Sequence, residues 1–183
     1  MKTLEVRRHS LRKDGGGSQL SQEGVAYARK LGATMGPFAR VVTSVVPRAR
    51  ETAIAMGFAV DHEIVSMATD EAMFAELETS RWSDAAQPFT ALAELVAARC
   101  ATWLYAQGLL ALWRDVLMAL PDGAAALMIC HSGDIETALV ACFPDADHAA
   151  WGGPFAPCEG ARLVFDGDPP RFTSVTILRG TEV

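Results

Sequence analysis

The chain reads as an α/β protein, a three-layer α/β/α sandwich around a mostly parallel sheet with an antiparallel edge strand. Three observations predict this. Short strand-like runs at Lys2–Arg8, Arg40–Ser44 and Ala125–Cys130 are each followed by a helix-like stretch. The run Ala125–Cys130 is apolar throughout, as a strand covered on both faces should be. Two last runs, Ala161–Phe165 and Phe172–Leu178, flank Asp166-Gly167-Asp168-Pro169-Pro170 and read as a hairpin, which requires antiparallel pairing.

Each element has a local reason. Lys2–Arg8 alternates apolar and charged residues and ends in Arg8-His9 before a polar, glycine-rich loop, Ser10 to Gln19. Ser21 is a good N-cap for a helix running to about Met35, with Glu23 in its first turn and Gly36-Pro37 as its stop. Arg40–Ser44 is a strand, and Pro47 suits the first turn of the helix that Gly57 closes. Glu63–Met67 reads as another short strand. Asp70 to Gln87 lacks periodicity and is expected as loops with at most a helical turn. Pro88 to Leu120 carries Leu92, Leu95, Val96, Trp103, Leu110, Trp113 and Leu117 at helical spacing, as one helix or two with Gly108 at the break. Ser132-Gly133-Asp134 opens a helix through Cys142.

Composition narrows the function classes. With 183 residues, 50% of them hydrophobic and 21% charged, the chain suits a single globular domain with a substantial core. A net charge of -6 argues against a general nucleic-acid binder. It is compatible with a small phosphorylated ligand, because Arg7, Arg8, Arg12 and Lys13 make a local cationic cluster. Arg12 and Lys13 read equally well as a solvated basic loop. Cys100, Cys130, Cys142 and Cys158 have no zinc-site spacing and read as reduced thiols of a cytoplasmic protein. The first residues read directly as a strand, so no signal peptide is expected. Leu95 to Trp113 is apolar but includes Arg99, Gln107 and Gly108, which favours a buried or interface helix over a membrane span. His62 and His148 have acidic, polar neighbours and are expected at the surface.

Three strand ends carry chemistry. The first supplies Arg8 and His9, the second leads into Ser44-Val45-Val46-Pro47-Arg48-Ala49-Arg50-Glu51-Thr52-Ala53, and the third supplies His131. If these strands are parallel neighbours, their C-terminal ends converge, and that edge is where such folds bind ligands. Arginine matches phosphate oxygens, a neutral imidazole can attack phosphorus, and a second imidazole can hold charge that develops on the oxygens.

These motifs resemble those of the histidine phosphatase superfamily, also called the phosphoglycerate mutase-like family. The matching pieces are Arg8-His9-Ser10, Leu20-Ser21-Gln22-Glu23-Gly24, Ser44 through Ala53, a glutamate after Met73, and Cys130-His131-Ser132-Gly133. They occur in the family's order over nearly the whole chain. Departures are Ser10 for a glycine, Val45 for a proline, the missing Gly-x-Trp-x-Gly segment after Glu76, and the missing asparagine in the first loop. The resemblance implies one domain over 1–183 with a small cap-like insertion around 58–87. It implies that His9 becomes phosphohistidine and that Arg8, Arg48 and His131 hold the phosphate oxygens. Arg48 is preferred to Arg50 because it directly precedes the alanine. Arg7 points to the opposite face of its strand and reads as structural.

A general acid is also required. Glu76, in Phe74-Ala75-Glu76, is the best match, with Glu78, Glu71 and Asp134 as alternatives. Ser10, and in principle Ser18, can offer phosphate a hydroxyl. The function implied is a phosphatase acting on a phosphorylated small molecule or a phosphoprotein, including a protein phosphohistidine phosphatase. A non-catalytic phospho-ligand binder or scaffold of the same fold is the alternative, and the apolar Leu92–Trp113 surface would suit a homodimer. No cofactor, metal, nucleic acid or membrane is called for.

Overall fold

The computed structural model describes residues 1–15, 17–67 and 70–180. Among these residues six strands form one sheet in the order β3-β2-β4-β1-β5-β6. They are β1 (Lys2–Arg8), β2 (Arg40–Ser44), β3 (His62–Ile64), β4 (Ala125–Cys130), β5 (Gly160–Asp166) and β6 (Arg171–Leu178). The first four in that order pair in parallel, and β5 pairs antiparallel with both β1 and β6. The expected hairpin is thus β5–β6, at one edge.

The sheet is covered, among the described residues, by six helices: α1 (Gln22–Gly32), α2 (Pro47–Ala55), α3 (Glu71–Ser80), α4 (Pro88–Ala97), α5 (Ala101–Met118) and α6 (Asp134–Cys142). Strand β4 explains the three layers. Ala126, Met128 and Cys130 pack into a core with α3–α6, whereas Leu127 and Ile129 pack with Ala28 of α1 and with Ala49 and Ala53 of α2. Alternate side chains feed opposite cores, so the strand is apolar at every position. In β1 only one face is apolar: Leu4 and Val6 join the larger core, and Glu5 and Arg7 lie on the other face.

Local signals explain several boundaries. The Ser21 side chain accepts from the Gly24 amide, and Pro47 stands in the first turn of α2. Helix α1 ends at Gly32, short of Met35, and β3 stops at Ile64, after which Val65–Met67 turns as a 3-10 helix.

Two expectations need correction. The segment Asp70–Gln87 is not mainly loop, for it contains the ten residues of α3 and a 3-10 turn at Trp82–Asp84. Asp70 caps α3 by accepting from the Met73 amide at 2.8 Å. Only Met73 and Leu77 are buried in α3, a stripe too narrow to produce a periodic pattern. Gly108 is not the break in the long apolar stretch. The break lies between Ala97 and Ala101, where Arg99 takes φ +59°, and the two helices meet at 97°.

The Glu76 carboxylate of α3 reaches the start of α5. It accepts from the amides of Ala101 and Thr102, each at 2.9 Å, and from the Thr102 hydroxyl at 2.7 Å. This cap from a distant helix lets the second helix start. Among the described residues no single helix is long and apolar enough to cross a membrane. His148 is buried rather than exposed, edge-on to Trp151 with its ring nitrogen 2.9 Å from the Phe143 carbonyl.

Candidate active site

The register of the sheet assembles the site. Arg8 pairs across from Cys130, and Thr43 from Ile129. The residues that follow, His9, His131 and Ser44, therefore meet at the C-terminal edge of neighbouring parallel strands. The two imidazoles stand edge to face with centroids 5.3 Å apart. They line a cavity of about 270 Å³ with Arg8, Arg12, Arg48, Ser132 and Asp134, and with Met73, Phe74 and Leu77 of α3.

His9 is held tightly. Its amide donates to the Cys130 carbonyl at 2.9 Å, and its Nδ1 lies 2.7 Å from the Ser10 carbonyl. A carbonyl can only accept, so Nδ1 carries the proton and Nε2 keeps its lone pair. Burial, opposed by the bond to Ser10 and reinforced by Arg48, Arg8 and Arg12, pushes the imidazole down to about 4. The ring is neutral at pH 7.

The loop after His9 is pinned by the motif helices. Ser10 donates its amide to the Thr52 hydroxyl at 2.9 Å, and that hydroxyl donates to the Arg48 carbonyl at 2.7 Å. Thr52 thereby ties the His9 loop to the turn of α2 that carries Arg48. On the other side, a Cβ at Gly24 would lie 2.2 Å from the Leu11 carbonyl oxygen, so only glycine lets α1 pack this close to the loop. Ser10 itself is fully buried, with its hydroxyl donated to the Gly24 carbonyl at 2.8 Å. The expected hydroxyl contact from Ser10 to phosphate is corrected accordingly: the group is consumed inside the fold.

The cations are left open. Arg8 donates through Nη1 to the Phe155 carbonyl, yet among the described residues its Nε and the Nε of Arg48 have no partner. Among the described residues Arg8, Arg12 and Arg48 form no ion pair. His131 lies with Nε2 3.1 Å from the Ser44 hydroxyl and Nδ1 without a partner among the described residues. Burial, then Arg48 and His9, push it down to about 3. Arg50, by contrast, is more than half exposed and pairs with Glu63.

Of the carboxylates considered for proton transfer, Asp134 lines the cavity and Glu76 does not. Glu76 spends both oxygens on the start of α5, and these hydrogen bonds hold its carboxyl below the ordinary range. It is an anion facing away, so the expectation for Glu76 is corrected. Glu71 and Glu78 are exposed and absent from the lining. Asp134 is 5% exposed, with Oδ2 lacking a partner among the described residues. Burial, then the neighbouring Glu136, push it well up, against the opposing pull of the nearby Tyr105 hydroxyl and Arg48.

One contributor was left open in the sequence and another was missed. Arg12, read there either as part of a cationic cluster or as a solvated loop residue, forms part of the cavity wall although it remains exposed. Glu136 is fully buried, and its carboxylate accepts from the Ser132 hydroxyl, the Gly133 amide and the Phe155 amide at 2.9, 2.7 and 2.8 Å. It therefore joins the His131–Asp134 turn to Phe155, whose carbonyl receives Arg8. The available signal was an acid set among Ile135, Ala138, Leu139 and Val140, since a charge in an apolar helix face must be paired when buried. Among the described residues no group of three or more His, Cys, Asp or Glu is arranged to hold a metal ion.

Open guanidinium groups beside two neutral imidazoles at the C-terminal edge of parallel strands make an α/β site suited to an anion. The chain belongs to the histidine phosphatase superfamily (branch 1), which it matches over residues 5–177. No curated protein matches it. Solved structures share the fold at low identity. A mycobacterial glucosyl-3-phosphoglycerate phosphatase complexed with VO3 superposes with a TM-score of 0.65 at 17% identity, covering 99% of this chain and 100% of that one. A phosphoserine phosphatase from Entamoeba histolytica in complex with 3-phosphoglyceric acid gives 0.60 at 16% identity, covering 100% and 98%.

Proposed function

We propose that this protein is a phosphatase that hydrolyses a phosphomonoester through a phosphohistidine on His9, with Asp134 as the general acid. The observation that carries this reading is the orientation of His9: Nδ1 is tied to the Ser10 carbonyl and Nε2 is free beside open guanidinium groups. Arg8, Arg48 and His131 take the phosphoryl oxygens. Nε2 attacks phosphorus as the bond to the leaving oxygen breaks, and the Asp134 proton passes to that oxygen. Water then attacks the phosphohistidine and gives a proton to the Asp134 carboxylate. The P–N bond breaks, and inorganic phosphate leaves with His9 restored.

Supporting features are the neutrality of His9, the raised position of Asp134 and the family membership. The segment 58–87, of which Ala68 and Thr69 lie outside the described residues, serves in this reading as a small cap, because α3 lines the cavity.

The test is hydrolysis of 4-nitrophenyl phosphate by the wild type and His9→Ala, with a search for acid-labile phosphate on the quenched wild type. The expected result is phosphate on His9 and a loss of about 10³-fold or more in the variant. Equal rates and no phosphohistidine would turn the reading to a phospho-ligand-binding protein.

A further inference from the structure

We propose that α3 selects the leaving group, and that the substrate is a phosphomonoester whose alkyl or aryl leaving group lays an apolar face against Met73, Phe74 and Leu77. The inference rests on the phosphatase reading and adds the substrate class to it. The first step is direction. Two clefts meet at Arg8, His9 and Arg12. One contains Asp134 and is walled by α3, and the other follows Leu11 to Gly15 and Pro157 with Lys13 and Asp14. The acid must reach the leaving oxygen. Only the cleft that holds Asp134 allows this, so the leaving group extends toward α3.

The second step is what it meets there. Met73 and Leu77 are 1% and 7% exposed and make an apolar floor. Phe74 is 48% exposed although α3 has a packed face available, which leaves a phenyl ring half in water on the rim of a cationic cavity. Helix α3 is also seated on the turn that leads to the acid. A Cβ at Gly133 would lie 3.2 Å from Leu77 Cδ1, and Gly133 takes φ +91°. The apolar wall therefore lies directly against the turn that carries the acid. A leaving group with an apolar face would cover Phe74, whereas a polyhydroxy one would leave it wet and find an apolar floor in place of donors and acceptors.

The experiment compares benzyl phosphate with glycerol 2-phosphate, whose leaving alcohols are both aliphatic, using wild type, Phe74→Leu and Phe74→Ala. Steady-state kcat/KM is read together with phosphohistidine formation from each substrate. The wild type is expected to prefer benzyl phosphate by about tenfold or more. Phe74→Ala should lower that ratio by about tenfold, chiefly through benzyl phosphate, and Phe74→Leu should restore part of it. Phe74 is half exposed, so its loss leaves the fold in place. Phosphohistidine formed from both substrates, with a ratio near unity or one that Phe74→Ala does not change, overturns this inference alone. Absence of phosphohistidine with either substrate overturns the phosphatase reading and this inference with it.

Discussion

Strand β1 carries arginine on both faces, and the two faces treat it differently. On the face toward α1, the Arg7 guanidinium donates to Glu5 at 2.6 Å and to the Cys158 carbonyl at 2.7 Å, and Arg162 of β5 takes the second Glu5 oxygen at 2.7 Å. On the other face, Arg8 meets a backbone carbonyl but no carboxylate of its own, beside Arg12 and Arg48. The first is a closed network in which each carboxylate oxygen has its cation. The second is an open array, with like charges held together and the buried Glu136 carboxylate turned to other donors. Holding half-buried like charges together opposes folding, and an anion placed among them would relieve that repulsion.

Removing an arginine from each side separates the two. Arg48→Ala should lower kcat/KM by about 10²–10³-fold, with stability equal to or above wild type because a like charge leaves the cluster. Arg7→Ala should do the reverse. Unfolding free energy in urea should drop by about 2 kcal/mol, less than for a fully broken buried pair because Arg162 remains on Glu5, with kcat/KM within about twofold. If Arg7→Ala removes activity from a folded protein, the division between the faces is wrong.

The pH dependence sharpens the same contrast. His9 must be neutral to attack, so activity rises as pH climbs through about 4. Asp134 must hold its proton, so activity falls again as pH climbs through its raised pKa. Asp134→Asn should keep the first limb, lose the second, and turn over glycerol 2-phosphate about 10²-fold more slowly. Stability should move the other way. Folded Asp134 keeps a proton that the unfolded chain loses above the ordinary aspartate range, so unfolding releases a proton and stability falls as pH rises from that range through the folded pKa. Asp134→Asn removes this penalty and should melt at a higher temperature at pH 7. A variant with a lower melting temperature and an unchanged pH profile would remove Asp134 from the role of acid.

The smallest effect is expected at Glu76. Glu76→Ala uncaps α5 and should cost about 1 kcal/mol of stability with kcat/KM within about twofold. Loss of turnover there would return the acid to α3.

Much of this molecule was legible from local chemistry. Alternation along β1, the Ser21 cap, Pro47 at the start of α2, the apolar run of β4 and the turn between β5 and β6 each act over a few residues. The motif arginines and histidines were legible for the same reason, because strand ends in a parallel sheet share an edge. Which of the candidate carboxylates faces the cavity was not legible. Glu76 lies in a segment resembling the family's acid motif, yet its direction depends on how α3 packs over the start of α5, 25 residues on. The helix break at Ala98–Cys100, the burial of Glu136 against Phe155 and the turn of Arg12 into the cavity depend on tertiary packing in the same way. Sequence by itself determined the order of the elements and which strand ends hold arginine and imidazole, since those follow from neighbours along the chain. Only the tertiary structure decided which carboxylate faces them, because a side chain's solvent and partners are set by residues far from it in sequence.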